Sequence, residues 1–157
     1  MKTTLACVFA IILCGPALAV GDDVPMSPLV AWQADRTVVL DAADIDLPEF
    51  QWIARPVVVF ADSPADPRLV KQLDLLAARV GELVERDIVV IVDSDPAAES
   101  ALRTELRPRG FMLVLIDKDG GVKLRKAAPW HVRELTRIID KTPELQQEVR
   151  DRRALAE

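Results

Sequence analysis

Cysteine is confined to the start of this 157-residue chain, at Cys7 and Cys14, and tyrosine is absent altogether. Past Cys14 there is no thiol, so the remainder can close no disulfide and offers no sulfur nucleophile or thiolate ligand. A single histidine, His131, excludes a multi-histidine metal site. No Gly-x-Ser-x-Gly elbow and no glycine-rich phosphate loop occur, which removes the hydrolase and dinucleotide-binding signatures. Aromatic residues make up only 4% of the chain, so aliphatic side chains must supply the core.

Half of the residues are hydrophobic and 29% are charged, the balance of a globular domain. Lys2, the apolar run Leu5–Leu13 and the ending Ala17-Leu18-Ala19 have the form of a secretory signal peptide, with cleavage expected after Ala19. The run is shorter than the roughly 20 residues that span a bilayer. Leu13 before Cys14 is wrong for a lipoprotein site, so the expectation is a secreted or periplasmic chain with no stable membrane insertion. Both cysteines leave with that segment. Loss of Lys2 also leaves 19 basic against 25 acidic residues, a net charge of −6 that argues against nucleic acid as a partner.

The strongest strand signal is Arg55-Pro56-Val57-Val58-Val59-Phe60, an apolar run fit for burial on both faces. Asp66-Pro67 then caps a helix whose apolar stripe, Leu69, Leu73, Leu76, Val80 and Leu83, predicts about five turns. Ile88–Val92 repeats the buried-strand signature, and Asp95-Pro96 opens a second helix running to about Leu106. Phe111–Ile116 is a third strand, the turn Asp117–Gly121 follows, and Val122–Lys126 alternates as a basic edge strand. Helices are expected from about His131 to Lys141 and, more weakly, from Pro143 through Val149. Before the central strand, residues 20–46 read as a leader that is loose to about Leu29, with a short strand at Thr37–Leu40. In Leu47–Ile53, Phe50 and Trp52 are expected to cover a core edge.

The fold class is therefore α/β, with a β-α-β-α-β-β-α core in a mixed sheet flanked by helices, which is the thioredoxin-like order. Phe50-x-Trp52-x-x-Arg55-Pro56 with its strand, Asp66-Pro67-Arg68-Leu69, Gly110-Phe111, Leu115 through Arg125, Ile139-Asp140 and Gln146-Gln147-Glu148 resemble the DUF4174 family. The likeness covers roughly Leu47–Arg150. It implies a thioredoxin- or peroxiredoxin-like fold in an exported protein, and no established activity. The organisation expected is a signal peptide at 1–19, the leader at 20–46, the domain at 47–142 and a helical tail at 143–157.

A thioredoxin-type enzyme needs a low-pKa thiolate at the helix start after its first core strand. Here that place is Ser63-Pro64-Ala65-Asp66, and Phe111 stands where redox relatives carry a proline. Dithiol and peroxidase chemistry are thereby excluded, and no cofactor is called for. The remaining candidates for chemistry are Asp62, Ser63 and Asp66 after one parallel strand and Asp93 and Asp95 after the other. If they converge, their oxygens suit a hard cation or a shared proton; helix capping accounts for Asp66 and Asp95 without either. The turn Asp117–Gly121 lacks the distal ligands of a calcium loop. His131 is expected at the surface or at a helix cap. Trp32 is the open case for anchoring a partner, whereas Trp52 and Trp130 are expected to pack locally. The residues thus favour a non-catalytic module binding a protein or small ligand. A divergent carboxylate enzyme or cation-binding domain is the alternative, and self-association through the tail helix a third reading.

Overall fold

The computed structural model describes residues 26–156, so the segment expected to be a signal peptide, with Cys7 and Cys14, lies outside the described residues. In chain order the elements are α1 (Pro28–Ala34), β1 (Val39–Asp41), β2 (Arg55–Phe60), α2 (Pro67–Ala77), α3 (Val80–Glu85) and β3 (Ile88–Asp93). There follow α4 (Ala101–Leu106), β4 (Met112–Ile116), β5 (Val122–Lys126), α5 (Val132–Ile139) and α6 (Pro143–Ala154). The five strands form one sheet in the order β1-β3-β2-β4-β5. β3 runs parallel to β1 and β2, while β4 pairs antiparallel with both β2 and β5.

β2 is buried along its whole length because the sheet is covered on both sides. Alternate residues feed two cores. Val57 and Val59 meet Leu69, Leu76, Leu83, Leu135 and Ile139 on one face. Val58 and Phe60 meet Trp32, Phe50, Leu102 and Leu106 on the other.

Five expectations need correction, the last of them Trp52. The long helix after Asp66 is two helices broken at Ala78–Arg79, where Arg79 leaves helical geometry (φ −136°, ψ 36°). The stripe survives because Leu76 and Leu83 reach the same core on either side of the break. The second helix is likewise divided: Pro96–Ala98 makes one 3-10 turn, Glu99 turns left-handed, and α4 begins only after Ser100 caps it. The leader, expected to be loose to about Leu29 and to leave Trp32 open for a partner, forms α1 from Pro28 and carries Trp32 into the second core with no solvent exposure, so Trp32 is no free anchor. Its ring is also covered by the Arg36 guanidinium, 3.7 Å from the centroid. The first strand lies at Val39–Asp41 rather than Thr37–Leu40, and pairing with β3 makes it part of the sheet.

Phe50 is buried as expected, but Trp52 is 68% exposed. Its backbone is left-handed (φ 65°), a strained conformation for a bulky residue, held by its N–H donating to the Lys118 carbonyl at 2.8 Å. Trp130 does pack locally: its backbone exchanges two hydrogen bonds with the buried Gln72 amide, and Lys126 Nζ lies 4.4 Å from its ring centroid. His131 is exposed at the start of α5, with no side-chain capping bond.

Candidate functional site

The loop leaving β2 meets the loop entering β4. An ideal Cβ on Gly110, which is left-handed at φ +64°, would lie 3.5 Å from Asp62 Oδ2. Asp62, Ser63, Ala65, Asp66, Pro67 and Arg68 line an open depression here. Arg68 also lies over the Phe111 ring, 5.4 Å from its centroid. This is the edge that topology marks for a site, beyond the carboxyl ends of parallel strands.

Most of the candidate oxygens at this edge already have partners. Ser63 Oγ accepts from the Ala65 N–H at 3.1 Å, closing a local turn. Asp66 caps α2 by accepting from the Arg68 N–H at 2.8 Å and also receives the Arg68 guanidinium, at 3.0 Å and 2.7 Å. These Arg68 bonds, side chain first and backbone second, hold its carboxyl below the usual range. Asp95 Oδ1 accepts from Ala97 N–H at 3.0 Å, the cap that its Asp-Pro pairing announced.

Asp93 is buried and bound from within. Its Oδ1 takes Arg103 Nε at 2.7 Å and its Oδ2 takes the Ser100 hydroxyl. Arg103 Nη2 also donates to the carbonyls of Ala61, at 2.6 Å, and of Asp93, at 3.2 Å. The positive charge that joins the two strand ends is thus an arginine of α4. The structure brings Asp62 and Asp66 to one depression and ties Asp93 and Asp95 into α4 and its approach. Among the described residues no three or more carboxylate, histidine or cysteine side chains group to hold a metal ion.

A second cluster, at the opposite end of β2, was not anticipated as a unit. Arg55 is fully buried; its Nε donates to Asp117 Oδ1 at 2.8 Å, its Nη1 to the Arg86 carbonyl at 3.0 Å and its Nη2 to Glu148 Oε1 at 2.8 Å. Lys118 Nζ links Asp87, at 2.8 Å, with Glu148, at 3.3 Å, and Arg36 meets Asp87 at 2.9 Å. Burial by itself raises the Glu148 carboxyl, but the Arg55 hydrogen bond and the charges of Arg55 and Lys118 outweigh it and hold it below its ordinary value. Arg55, Asp117, Lys118 and Glu148 all stand in the stretches that carry the family resemblance. A cation opening a strand expected to be buried on both faces was the available signal: such a charge must be matched.

The sheet order, the two covered faces and the loop arrangement define a thioredoxin-like α/β domain. The family described as "Domain of unknown function (DUF4174)" matches residues 46–148, more than half of the sequence, and the chain belongs to that family. Among solved structures it is similar to the reduced 2-Cys peroxiredoxin of Plasmodium vivax, at a TM-score of 0.51 and 15% identity, over 71% of this chain and 91% of that one. It is also similar to desulfothioredoxin of Desulfovibrio vulgaris Hildenborough in its reduced form, at a TM-score of 0.45 and 21% identity, over 67% of this chain and 97% of that one. At 15% identity the likeness to the peroxiredoxin is one of fold. No curated protein matches the chain.

Proposed function

We propose that this protein is an exported, non-catalytic thioredoxin-like module that binds a protein or a small ligand, with the Ser63 loop as its candidate contact site. One observation carries the reading: the loop where redox members of the fold need a thiolate is Ser63-Pro64-Ala65-Asp66, with Ser63 spent on a turn and Asp66 on a cap. The neighbours named as peroxiredoxin and thioredoxin proteins supply the comparison of scaffold, and the sequence past Cys14 supplies no sulfur for their chemistry. Export rests on the signal-type segment at 1–19, and N-terminal sequencing of protein recovered from the periplasm should begin at Val20.

The alternative, a cation-dependent function at Asp62, Ser63, Asp66, Asp93 and Asp95, has less room, because three of those carboxylates are committed to protein partners. Calorimetric titration with Ca²⁺, Mg²⁺ and Mn²⁺, paired with thermal melts, decides between them. The binding-module reading expects no saturable heat and no shift. A cation-induced shift abolished by Asp62→Asn or Asp93→Asn would replace it with the alternative.

A further inference from the structure

The Arg55 guanidinium has two differently used edges. Nε faces Asp117 and Nη1 faces the Arg86 carbonyl, both inside the folded body. The fork of Nη1 and Nη2 instead receives Glu148 of α6, at 3.4 Å and 2.8 Å, the two-toothed geometry in which arginine recognises a carboxylate. Lys118 Nζ closes on the same carboxylate at 3.3 Å.

Without α6 the buried Nη2 of Arg55 loses the carboxylate it donates to, while Nε keeps Asp117. The body of the domain contributes Arg36, Arg55 and Lys118 against Asp87 and Asp117, so three cations share two carboxylates. Lys123 adds to that excess, 3.9 Å from Asp117 Oδ2, although Asp119 at 3.1 Å also holds it. α6 supplies Glu148, together with Arg152, which reaches Asp87 at 3.8 Å and Glu148 at 3.5 Å. A buried N–H left without an acceptor is unfavourable even though Asp117 still matches the charge of Arg55, so the Nη2 edge of the fork favours a carboxylate from somewhere.

The element that provides it has a small apolar footing, Leu145 with Val149 partly buried beside it. α6 buries only Leu145 fully, follows α5 after Asp140–Thr142, and presents Glu148 with its side chain 25% exposed at the solvent edge of the site.

We propose that Arg55 and Lys118 form a carboxylate-binding site that α6 fills from within the same chain through Glu148. Displacement of α6 opens the site to a small external carboxylate. The proposal is independent of what the Ser63 loop binds. Glu148 acts as a tethered ligand, and a free acid competes with it for the same two cations.

Chemical rescue tests this in the full chain, with acetate and propionate as probes and chloride as the control at equal ionic strength. In Glu148→Ala, the unfolding midpoint should rise saturably with acetate and recover at least half of what the substitution lost, while chloride does nothing comparable. Adding Lys118→Met should remove most of that rescue. Glu148→Gln serves as a second variant if Glu148→Ala does not fold. In the wild-type chain, propionate should accelerate amide exchange in α6 selectively. Equal responses to acetate and chloride would overturn the site. Unchanged α6 exchange at concentrations that rescue the variant would overturn the displacement. A dimer of the wild-type chain that disappears in Glu148→Ala would overturn a free acid as the occupant and assign it to a second copy.

Discussion

Arg55 Nε and Asp117 Oδ1 lie 2.8 Å apart although 62 positions separate them in the chain, and both side chains are closed off from solvent. The pair fastens the first residue of β2 to the turn after β4, so the two central antiparallel strands are tied by charge as well as by their ladder.

Breaking this pair on one side only is therefore costly. Arg55→Ala leaves the buried Asp117 carboxylate with only Lys123 Nζ, 3.9 Å away, as counter-charge and should destabilise the fold by about 3–5 kcal/mol. Replacing both partners with apolar residues, Arg55→Met with Asp117→Leu, should cost clearly less than the two single changes added together. Urea unfolding of the four species measures the coupling.

Glu148 makes α6 sensitive to acid. Its folded pKa lies below the unfolded value near 4.5, so its stabilising contribution is complete above that pH and is lost as pH falls through the folded value. Glu148→Gln should cost about 1–2 kcal/mol at neutral pH, since the site is partly open to water. It should also flatten the decline in stability below pH 4.5, measured by thermal melts across pH.

The three tryptophans separate by environment. Trp52 should account for most of the fluorescence quenched by iodide, and Trp52→Phe should remove it, because Trp32 is sealed and Trp130 is half-buried. Trp32→Ala should cost about 3–5 kcal/mol through the cavity left in the second core. Trp52→Gly, by contrast, should be neutral or stabilising by up to about 1 kcal/mol, because glycine accepts the left-handed backbone that tryptophan resists.

Asp66 tests capping against ligation at the candidate edge. Asp66→Ala should lose about 1 kcal/mol of stability with the α2 cap. That loss should be the same with and without millimolar Ca²⁺ or Mg²⁺, as read from paired denaturant curves.

Strands β2 to β5 were legible because their apolar runs and the Asp117–Gly121 turn act locally, and the Asp-Pro starts at Asp66 and Asp95 announced real caps. The helix breaks were hidden because the apolar stripe continues across Arg79, so periodicity alone cannot reveal a change of axis there. α1 was missed because seven residues carry too short a pattern, and the burial of Trp32 depends on partners contributed by distant elements. Trp52 misled for the opposite reason: a large apolar residue beside Phe50 suggests packing, while the backbone turn at φ 65° sends it outward. At the carboxyl edge, Asp62, Asp66 and Asp95 follow their strands as expected, while Asp93 is the last residue of β3. What the sequence could not show is that Arg103, ten residues beyond Asp93, would turn back and occupy that carboxylate. The Arg55 cluster was equally hidden, since its members come from five separate stretches and only folding brings their charges together.

The central claim is that this thioredoxin-like scaffold works without a sulfur nucleophile. The most direct measurement is an insulin-reduction and peroxide-consumption assay on protein prepared to begin at Val20, the start expected after signal cleavage, with dithiothreitol as electron donor. The account predicts rates equal to the protein-free control in both assays. Turnover above that control, proportional to protein concentration and lost on Ser63→Ala or Asp62→Asn, would contradict it.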